Sequence, residues 1–272
     1  MTNRAAINTI GVIGTGNMGG ALVRGLLAGA PAHIRFRVFD ADPERVHSLV
    51  SLDGSRVSAA AGLEELASAC DLVVVSVKPQ DIDSVLFAIS EHLQPGTMVV
   101  FTAAGVTLER ARAALGSEAK LYRIMPNLAV AVGEGVVALA PEDDADTAAT
   151  GELLSLFSCL GSSEVLSERY FDVVTAVSGS GPAFLAVVLE ALEDGAVRSG
   201  LPRDVARVFV RQTAMGTARM LMGTPGSAAD LKDMVSSPGG TTMAGLAVLE
   251  DQGVRGALLR AVEAATERGR QL

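Results

Sequence analysis

The sequence predicts an α/β domain built on a parallel sheet, followed by an all-helical domain. Short apolar runs alternate with amphipathic segments up to about residue 140, and a Gly-x-Gly-x-x-Gly loop follows the first run. From Glu168 onward the pattern is helical, with Gly and Pro between the segments. Buried parallel strands read as continuous apolar runs, and the intervening segments are long enough for crossover helices.

The apolar runs predict six strands, at residues 7–13, 34–39, 72–77, 98–102, 122–125 and 136–139. The strand signal stops after about Ser162, so we expect no strand beyond it. A chain of 272 residues is long enough for two domains. The predicted domains span residues 1–162 and 163–272.

The Gly-rich loop behind the first predicted strand is typical of a turn that binds a dinucleotide. Gly14 permits a tight turn, Gly16 lets backbone N–H groups approach a diphosphate, and Gly19 lets the next helix, predicted over residues 18–28, pack on the sheet. The diphosphate would lie at the positive N-terminus of that helix.

Asp40 ends the second predicted strand, 24 positions after Gly16. A carboxylate at this point would hold a ribose 2′-hydroxyl and repel a 2′-phosphate, which favours NADH. The alternative is structural. In that interpretation Asp40 opens the polar turn that runs to Pro43 and caps the next helix.

Ligands of open α/β sheets bind beyond the carboxyl ends of the strands. That rule predicts two further walls for the cofactor, which are Ser76-Val77-Lys78-Pro79 and Thr102-Ala103-Ala104-Gly105. Lys78 would approach phosphate or amide groups, or it is an ordinary surface lysine. Pro79 is placed to begin a helix.

Charge and composition exclude several classes of function. The formal net charge is -9 and no basic run is present, which argues against nucleic acid and anionic membranes. Cys70, Cys159 and the three histidines lack metal-ligand spacing, so no metal is expected. Asn8 and Gly11 interrupt the first apolar stretch, and no 18 apolar residues run together. We expect a soluble, cytoplasmic, reduced protein.

The helical half contains more apolar surface than one small core requires. The predicted helices at residues 184–197 and 205–222 are apolar on nearly every face. Helices of a second subunit would cover such faces, so we expect a homo-oligomer.

Two Gly-rich segments of this half could bind a carboxylate. They are Ser178-Gly179-Ser180-Gly181-Pro182 and Ser236-Ser237-Pro238-Gly239-Gly240-Thr241-Thr242. Free N–H groups and short hydroxyls can replace water around an anion, although such segments are also ordinary helix caps. The second is longer than a helix connection needs. With no catalytic triad, paired carboxylates or metal cluster in view, the reactivity would come from the bound nucleotide, as in hydride transfer.

Residues 231–246, Leu-Lys-Asp-Met-Val-Ser-Ser-Pro-Gly-Gly-Thr-Thr-Met-Ala-Gly-Leu, closely resemble the signature of the pyrroline-5-carboxylate reductases. Shorter matches extend over almost the whole chain, at residues 14–19, 76–80, 103–106, 123–127 and 175–183. The resemblance implies a Rossmann domain and a helical domain that forms a homodimer, with a ring of five dimers in some members. It also implies reduction of the cyclic imine 1-pyrroline-5-carboxylate to L-proline with NADH or NADPH.

The resemblance also implies residue roles. The substrate would contact Val235, Ser236, Ser237, Gly239, Gly240 and Thr241, while Thr242 would face the ring nitrogen as the catalytic side chain. The cofactor would contact Gly14, Thr15, Gly16, Asn17, Met18, Asp40, Ser76, Val77, Lys78, Pro79, Thr102, Ala103, Ala104 and Asn127. Thr242 would donate or relay a proton, or would only orient an iminium already protonated in water.

Three positions depart from the family pattern. Phe184 stands where Tyr is usual, Leu128-Ala129 replace Thr-Pro, and Asp40 stands where members that prefer NADPH have Ser, Thr, Asn or Arg. The first two leave open a reductase for another carboxylated cyclic imine, or one working in the amine-oxidising direction. A dinucleotide-binding regulatory protein without turnover is a further alternative, against which the intact segment 237–242 argues.

Overall fold

A computed structural model describes residues 7–116, 119–142 and 146–272. Its strands form one eight-stranded sheet in the order β3-β2-β1-β4-β5-β6-β7-β8. The strands are β1 (Thr9–Ile13), β2 (Arg35–Phe39), β3 (Val57–Ala59), β4 (Leu72–Val75), β5 (Met98–Phe101), β6 (Lys120–Pro126), β7 (Gly135–Pro141) and β8 (Gly161–Val165). The order of the first six is that of the Rossmann fold, so the predicted fold class is confirmed.

Helices connect and cover the strands, and a helical region follows the sheet. The α-helices are α1 (Asn17–Gly29), α2 (Pro43–Val50), α3 (Leu63–Ala69), α4 (Ile82–Ser90), α5 (Leu108–Leu115), α6 (Thr147–Phe157), α7 (Phe171–Val174), α8 (Gly181–Arg198), α9 (Arg203–Gly223), α10 (Ala228–Met234), α11 (Thr241–Asp251) and α12 (Val254–Arg270). Short 3-10 helices lie at Pro79–Asp81, Leu128–Val132, Ser158–Leu160 and Glu168–Tyr170, and a π-helix lies at Thr175–Gly179.

The central strands are buried on both faces, which explains their uninterrupted apolar sequences. Successive side chains of a strand enter different cores. Val74 of β4 belongs to one hydrophobic cluster with Leu26 of α1, and Val73 belongs to a second cluster with Leu66 of α3 and Leu86 of α4. The sheet is thus held between two helical layers, and its strand ends form a fixed edge.

The sheet differs from the prediction in one pairing and two strands. β7 runs antiparallel to β6 because residues 127–134 contain only a 3-10 helix, too short for a crossover. The expectation of no strand beyond Ser162 is wrong, since β8 pairs parallel with β7. β3 was also not predicted. Strands β3 and β8 lie at the two edges of the sheet. β3 has three residues and β8 is mostly polar, so neither has an apolar run.

The chain divides into two compact units, and the division differs from the predicted boundary at residue 162. One unit extends to Gly179 and includes Ala265–Leu272, and the other is Ser180–Ala264. The first unit is longer than predicted because β8 extends the sheet and Phe171 of α7 lies in the second hydrophobic cluster.

The second unit consists of helices whose large apolar side chains are widely exposed. Leu185 and Leu192 of α8, Phe209 of α9 and Leu259 of α12 are among them. Only Glu193 and Ala206 are buried in α8 and α9, within the part of the chain that the structure describes. A single copy of the unit therefore leaves its apolar helix faces in contact with water.

One helical stretch of the described residues, Glu168–Arg198, is long and apolar enough to cross a membrane. Length and composition alone make this weak evidence, because apolar helices of water-soluble proteins pass the same test. Its exposed apolar side chains are explained equally by association with another helix.

Candidate functional site

A cavity of about 1050 Å³ lies in the first unit, at the carboxyl ends of β1, β2, β4 and β5. Every predicted cofactor residue except Asn127 lines it. These are Gly14, Thr15, Gly16, Asn17, Met18, Asp40, Ser76, Val77, Lys78, Pro79, Thr102, Ala103 and Ala104. The edge at which the sequence places a ligand therefore carries a large recess.

The Gly-rich loop at the floor of the cavity fits a dinucleotide. Gly14 has φ 85°, and a Cβ there would lie 2.5 Å from the Ser76 carbonyl oxygen. A Cβ on Gly19 would lie 1.9 Å from the Gly14 carbonyl oxygen. Gly16 differs, since its nearest neighbour is Arg45 Nη1 at 3.5 Å. The outer two glycines thus serve the packing of the protein, and the middle one leaves space open to the cavity.

The N-terminus of α1 offers unpaired donors at this space. The N–H groups of Gly16, Asn17 and Met18 have no acceptor among the residues that the structure describes, and the Gly16 cap supplies no side-chain acceptor. Unpaired N–H groups and the helix dipole favour an anion here. The donors therefore suit a diphosphate.

Asp40 lies at the rim of the cavity and fixes the Gly-rich loop. Its Oδ2 accepts the Thr15 N–H at 2.6 Å and the Thr15 hydroxyl at 3.1 Å, and its Oδ1 accepts the Asp42 N–H at 2.9 Å. Burial alone would raise the pKa of Asp40. The N–H groups of Asp42 and Thr15, the Thr15 hydroxyl and the Arg45 charge outweigh burial, so the pKa lies below its ordinary value.

Asp40 does not cap α2, contrary to the structural alternative drawn from the sequence. The cap is Asp42, whose Oδ1 accepts the Glu44 N–H at 3.0 Å, with Pro43 in the first turn. Asp40 instead joins the turn to the Gly-rich loop. The Asp40 residue also lines the cavity.

We expect Asp40→Ala to lower the free energy of unfolding by about 1–3 kcal/mol at pH 7, because Thr15 is buried and its N–H would lose its acceptor. The folded-state pKa of Asp40 is depressed, so its stabilisation is present above the ordinary Asp pKa. It is lost as the pH falls through the folded-state value.

Urea unfolding of wild type and Asp40→Ala at pH 7 and near pH 3 measures this difference. It should be smaller at the lower pH. A difference that stays constant across the two conditions would contradict an ionised Asp40 as the acceptor.

The other side of the cavity is formed by the ends of β4 and β5. The Thr102 hydroxyl donates to Ser76 Oγ at 3.2 Å, which joins the two loops. Lys78 is exposed and has no ion-pair partner among the described residues, so the structure leaves both interpretations of Lys78 open. Pro79 begins a 3-10 helix that leads into α4, as predicted.

Asn127 is the one predicted cofactor residue that does not line the cavity. It is buried between β6 and β7, where its Oδ1 accepts the Val136 N–H at 3.3 Å and its own N–H donates to the Val136 carbonyl. Met125 and Pro126, just before it, do line the cavity. The structure thus gives Asn127 a role in joining two strands, and the cavity wall at this point is apolar.

Sequence reasoning missed the charged residues contributed by α1 and α2. Arg24, Glu44 and Arg45 all line the cavity. The available signal was the position of α2, whose first turn follows Asp40 directly and therefore faces the same edge. Arg24 carries no such signal, because it depends on which side of α1 is turned to the recess.

The predicted substrate segment lies in the second unit, between α10 and α11. Val235, Ser236, Ser237, Gly239, Gly240, Thr241 and Thr242 form a partly exposed turn and the first residues of α11. Gly239 has φ 68°, which favours glycine, and the Gly240 N–H donates to the Ser237 carbonyl at 3.0 Å. A Cβ on Gly240 would lie 2.4 Å from Ser237 Oγ. The tight bend therefore favours glycine at positions 239 and 240.

The bend presents donors that the protein does not use. The N–H groups of Thr241, Thr242 and Met243 have no acceptor in the described part of the chain, and the Gly240 cap has no side-chain acceptor. The hydroxyls of Ser237 and Thr242 make no hydrogen bond to a described residue, while Ser236 Oγ donates to the Lys232 carbonyl at 2.6 Å. The start of α11 therefore suits a carboxylate.

The other Gly-rich segment is not an open bend. Thr175–Gly179 is a π-helix in which Ser178 Oγ donates to the Val174 carbonyl at 2.8 Å, and α8 begins at Gly181. The hydroxyls of Thr175 and Ser178 satisfy helix carbonyls. Of the two candidate carboxylate sites, residues 236–242 form the open bend, where the N–H groups of Thr241 to Met243 stay unused.

No group of three His, Cys, Asp or Glu side chains suited to a metal ion is found among residues 7–116, 119–142 and 146–272. Burial raises the pKa of Cys70 to about 12, with a smaller contribution from neighbouring carboxylates, so this thiol stays protonated.

Comparison with known proteins identifies both halves of the chain. A family model described as pyrroline-5-carboxylate reductase dimerisation matches residues 168–272, and one described as NADP oxidoreductase, coenzyme F420-dependent, matches residues 9–105. The pyrroline-5-carboxylate reductase of Escherichia coli K12 is 38% identical over 97% of each chain. The helical half is thus a self-association domain, as predicted.

Solved structures agree with the sequence comparison. A pyrroline-5-carboxylate reductase from Coxiella burnetii is 30% identical over 98% of each chain, with a TM-score of 0.88. Pyrroline carboxylate reductase from Plasmodium falciparum, solved with NADP bound, is 29% identical over 97% of each chain, with a TM-score of 0.85. The resemblance carried by residues 231–246 is confirmed: this chain belongs to the pyrroline-5-carboxylate reductase family.

Proposed function

We propose that this chain reduces 1-pyrroline-5-carboxylate to L-proline with a reduced nicotinamide dinucleotide, the last step of proline biosynthesis. The observation that carries the proposal is the cavity lined by residues 14–18, where the unpaired N–H groups of Gly16, Asn17 and Met18 suit a diphosphate. The bound dinucleotide supplies the hydride. The chain supplies binding and orientation.

We assign the substrate carboxylate to the start of α11. The N–H groups of Thr241 to Met243 and the Ser237 hydroxyl would replace water around it. Anchoring the carboxylate would orient the imine for hydride transfer, which requires the reacting atoms about 3–3.5 Å apart. Val235, Ser236, Gly239 and Gly240 form the bend that presents these donors.

We propose that NADH is preferred over NADPH. Asp40, Asp42 and Glu44 line the cavity, and their charges repel a 2′-phosphate. We further propose a homodimer through the helical domain, either alone or assembled into a decamer, and a cytoplasmic location without nucleic-acid or membrane partners.

The direct test is the oxidation of NADH and NADPH by the purified protein, followed at 340 nm with 1-pyrroline-5-carboxylate. We expect turnover with this imine and less or none with its six-membered homologue. Turnover with the larger ring alone would favour the alternative substrate suggested by Phe184 and Leu128. Dinucleotide binding without any turnover would favour a regulatory protein.

Thr242 is the side chain that we place beside the ring nitrogen. An alcohol is a poor acid, so we expect it to orient the substrate rather than to supply the proton. Thr242→Val should lower kcat about tenfold without changing the pH dependence, and Thr242→Ser should restore most of the rate. A shifted pH profile in Thr242→Val would support proton transfer, and wild-type kcat would remove Thr242 from the mechanism.

A further inference from the structure

We infer that Arg45 determines how well this enzyme accepts NADPH, an inference that rests on the proposed reductase function. Arg45 lies in the first turn of α2, lines the cavity and is 54% exposed. Asp40 makes the cavity repel a 2′-phosphate, whereas Arg45 places a permanent positive charge beside that carboxylate. The balance between the two sets the choice of coenzyme.

The guanidinium of Arg45 spans the gap between the end of β2 and the Gly-rich loop. Nη1 lies 3.9 Å from Asp40 Oδ1, and Nε lies 3.2 Å from Asp42 Oδ2. Nη1 is also 3.5 Å from the point where a Cβ on Gly16 would stand. Nη2 has no hydrogen-bond partner among the residues that the structure describes, so a donor remains for a ligand.

The end of β2 is where a Rossmann domain holds the adenosine ribose, so a 2′-phosphate would enter beside Arg45. Asp40 is already engaged, because its oxygens accept from Thr15 and Asp42. A guanidinium offers several donors in a fixed plane and suits phosphate. Arg45 is thus the group at this end of the cavity that can offset the carboxylates.

Arg24 serves as a control for Arg45, because it is a second arginine at the same cavity. It also lines the cavity, but its Nη1 lies 3.0 Å from the Cβ position of Gly20 on α1, on the side of the diphosphate donors. A contact there would be made with NAD⁺ and NADP⁺ alike. Arg24 therefore separates a general effect of positive charge from recognition of the 2′-phosphate.

The test measures binding of NAD⁺ and NADP⁺ by isothermal titration calorimetry, without substrate. The variants are Arg45→Gln, Arg45→Lys, Arg24→Gln and a remote control, Arg110→Gln. Arg110 is exposed and pairs with Asp83, as Arg45 pairs with Asp42. Melting temperatures of all variants show whether each remains folded.

We expect Arg45→Gln to weaken NADP⁺ binding about tenfold, since a hydrogen bond to a charged group is lost, and to change NAD⁺ binding less than twofold. Arg45→Lys should bind NADP⁺ with intermediate affinity. Arg24→Gln should change both coenzymes equally, and Arg110→Gln neither. Raising the salt concentration should reduce the effect of Arg45.

Equal losses for NAD⁺ and NADP⁺ in Arg45→Gln, unchanged NADP⁺ binding, or a larger NADP⁺-selective loss in Arg24→Gln would overturn the inference. So would a wild type that binds no NADP⁺. A protein that binds both coenzymes with this selectivity but does not reduce the imine would contradict the proposed function alone.

Discussion

Gly16→Ala is expected to abolish tight dinucleotide binding while the protein stays folded. The backbone of Gly16 is extended, with φ -61° and ψ -159°, and lies outside the left-handed region that favours glycine. The added methyl group would meet only Arg45 Nη1, at an ordinary contact distance. The methyl group would stand where we place the diphosphate, beside the unpaired N–H groups of α1. Its cost therefore falls on the ligand and leaves the protein intact.

Gly19→Ala is expected to behave in the opposite way. Its methyl group would lie 1.9 Å from the Gly14 carbonyl oxygen, which is backbone and cannot rotate aside. The loop or α1 must shift, at a cost of about 2–3 kcal/mol. We expect a fall in Tm of roughly 5–10 °C, together with a loss of coenzyme binding.

Calorimetric titration with NAD⁺ and thermal unfolding separate the two effects. Gly151→Ala is the matched control, since it adds the same methyl group to α6 with nothing within 4 Å. It should leave binding unchanged and raise stability slightly. If Gly16→Ala binds NAD⁺ as tightly as Gly151→Ala does, the diphosphate does not lie at this loop.

The sequence predicts the parts of the fold that depend on local pattern. The runs at β1, β4 and β5 are apolar because both faces of the sheet are covered, so periodicity alone locates them. β8 has no such run, because an edge strand meets the rest of the protein on one side only. Its place depends on the crossover through α6, which local pattern does not encode.

The candidate site also combines features that local sequence predicts with features that depend on the tertiary structure. Gly14, Gly16 and Gly19 are predictable because one turn geometry requires them at fixed spacing. The bond from Thr15 to Asp40 joins residues 25 positions apart and is seen only once β1 and β2 are adjacent. Asn127 belongs to the run 123–127 that resembles the family, yet its side chain bonds to the Val136 N–H. Neither contact leaves a trace in spacing or composition.

Glu168→Ala is expected to cause the largest loss of stability among single ion-pair variants of the first unit. Arg123 on β6 is only 4% exposed, and its Nη1 donates to Glu168 Oε1 at 2.9 Å. The same carboxylate oxygen accepts the Leu108 N–H at 2.8 Å. Removal of Glu168 leaves a buried charge and a backbone donor without their acceptor, for a loss of about 3 kcal/mol.

The environment of Arg123 explains why water cannot replace Glu168 easily. Its guanidinium carbon lies 4.8 Å from the centre of the Phe171 ring, and its Nε has no hydrogen-bond partner in the described structure. The carboxylate is therefore the group that compensates the charge. It also ties the segment before α7 to the sheet and to the start of α5.

The urea midpoint of unfolding measures these effects. The protein concentration is held fixed because self-association contributes to stability. Asp83→Ala, which breaks the exposed pair with Arg110, should cost at most about 1 kcal/mol. Glu168→Gln should be intermediate, since an amide oxygen can still accept the Leu108 N–H.

The double variant Arg123→Met/Glu168→Ala removes the buried charge together with its partner. It should be more stable than Glu168→Ala, because the methionine packs against Phe171 without requiring a counter-charge. If the double variant is the less stable of the two, stacking on Phe171 outweighs the cost of the unpaired charge. If Glu168→Ala costs no more than Asp83→Ala, burial of Arg123 does not make its ion pair important for stability.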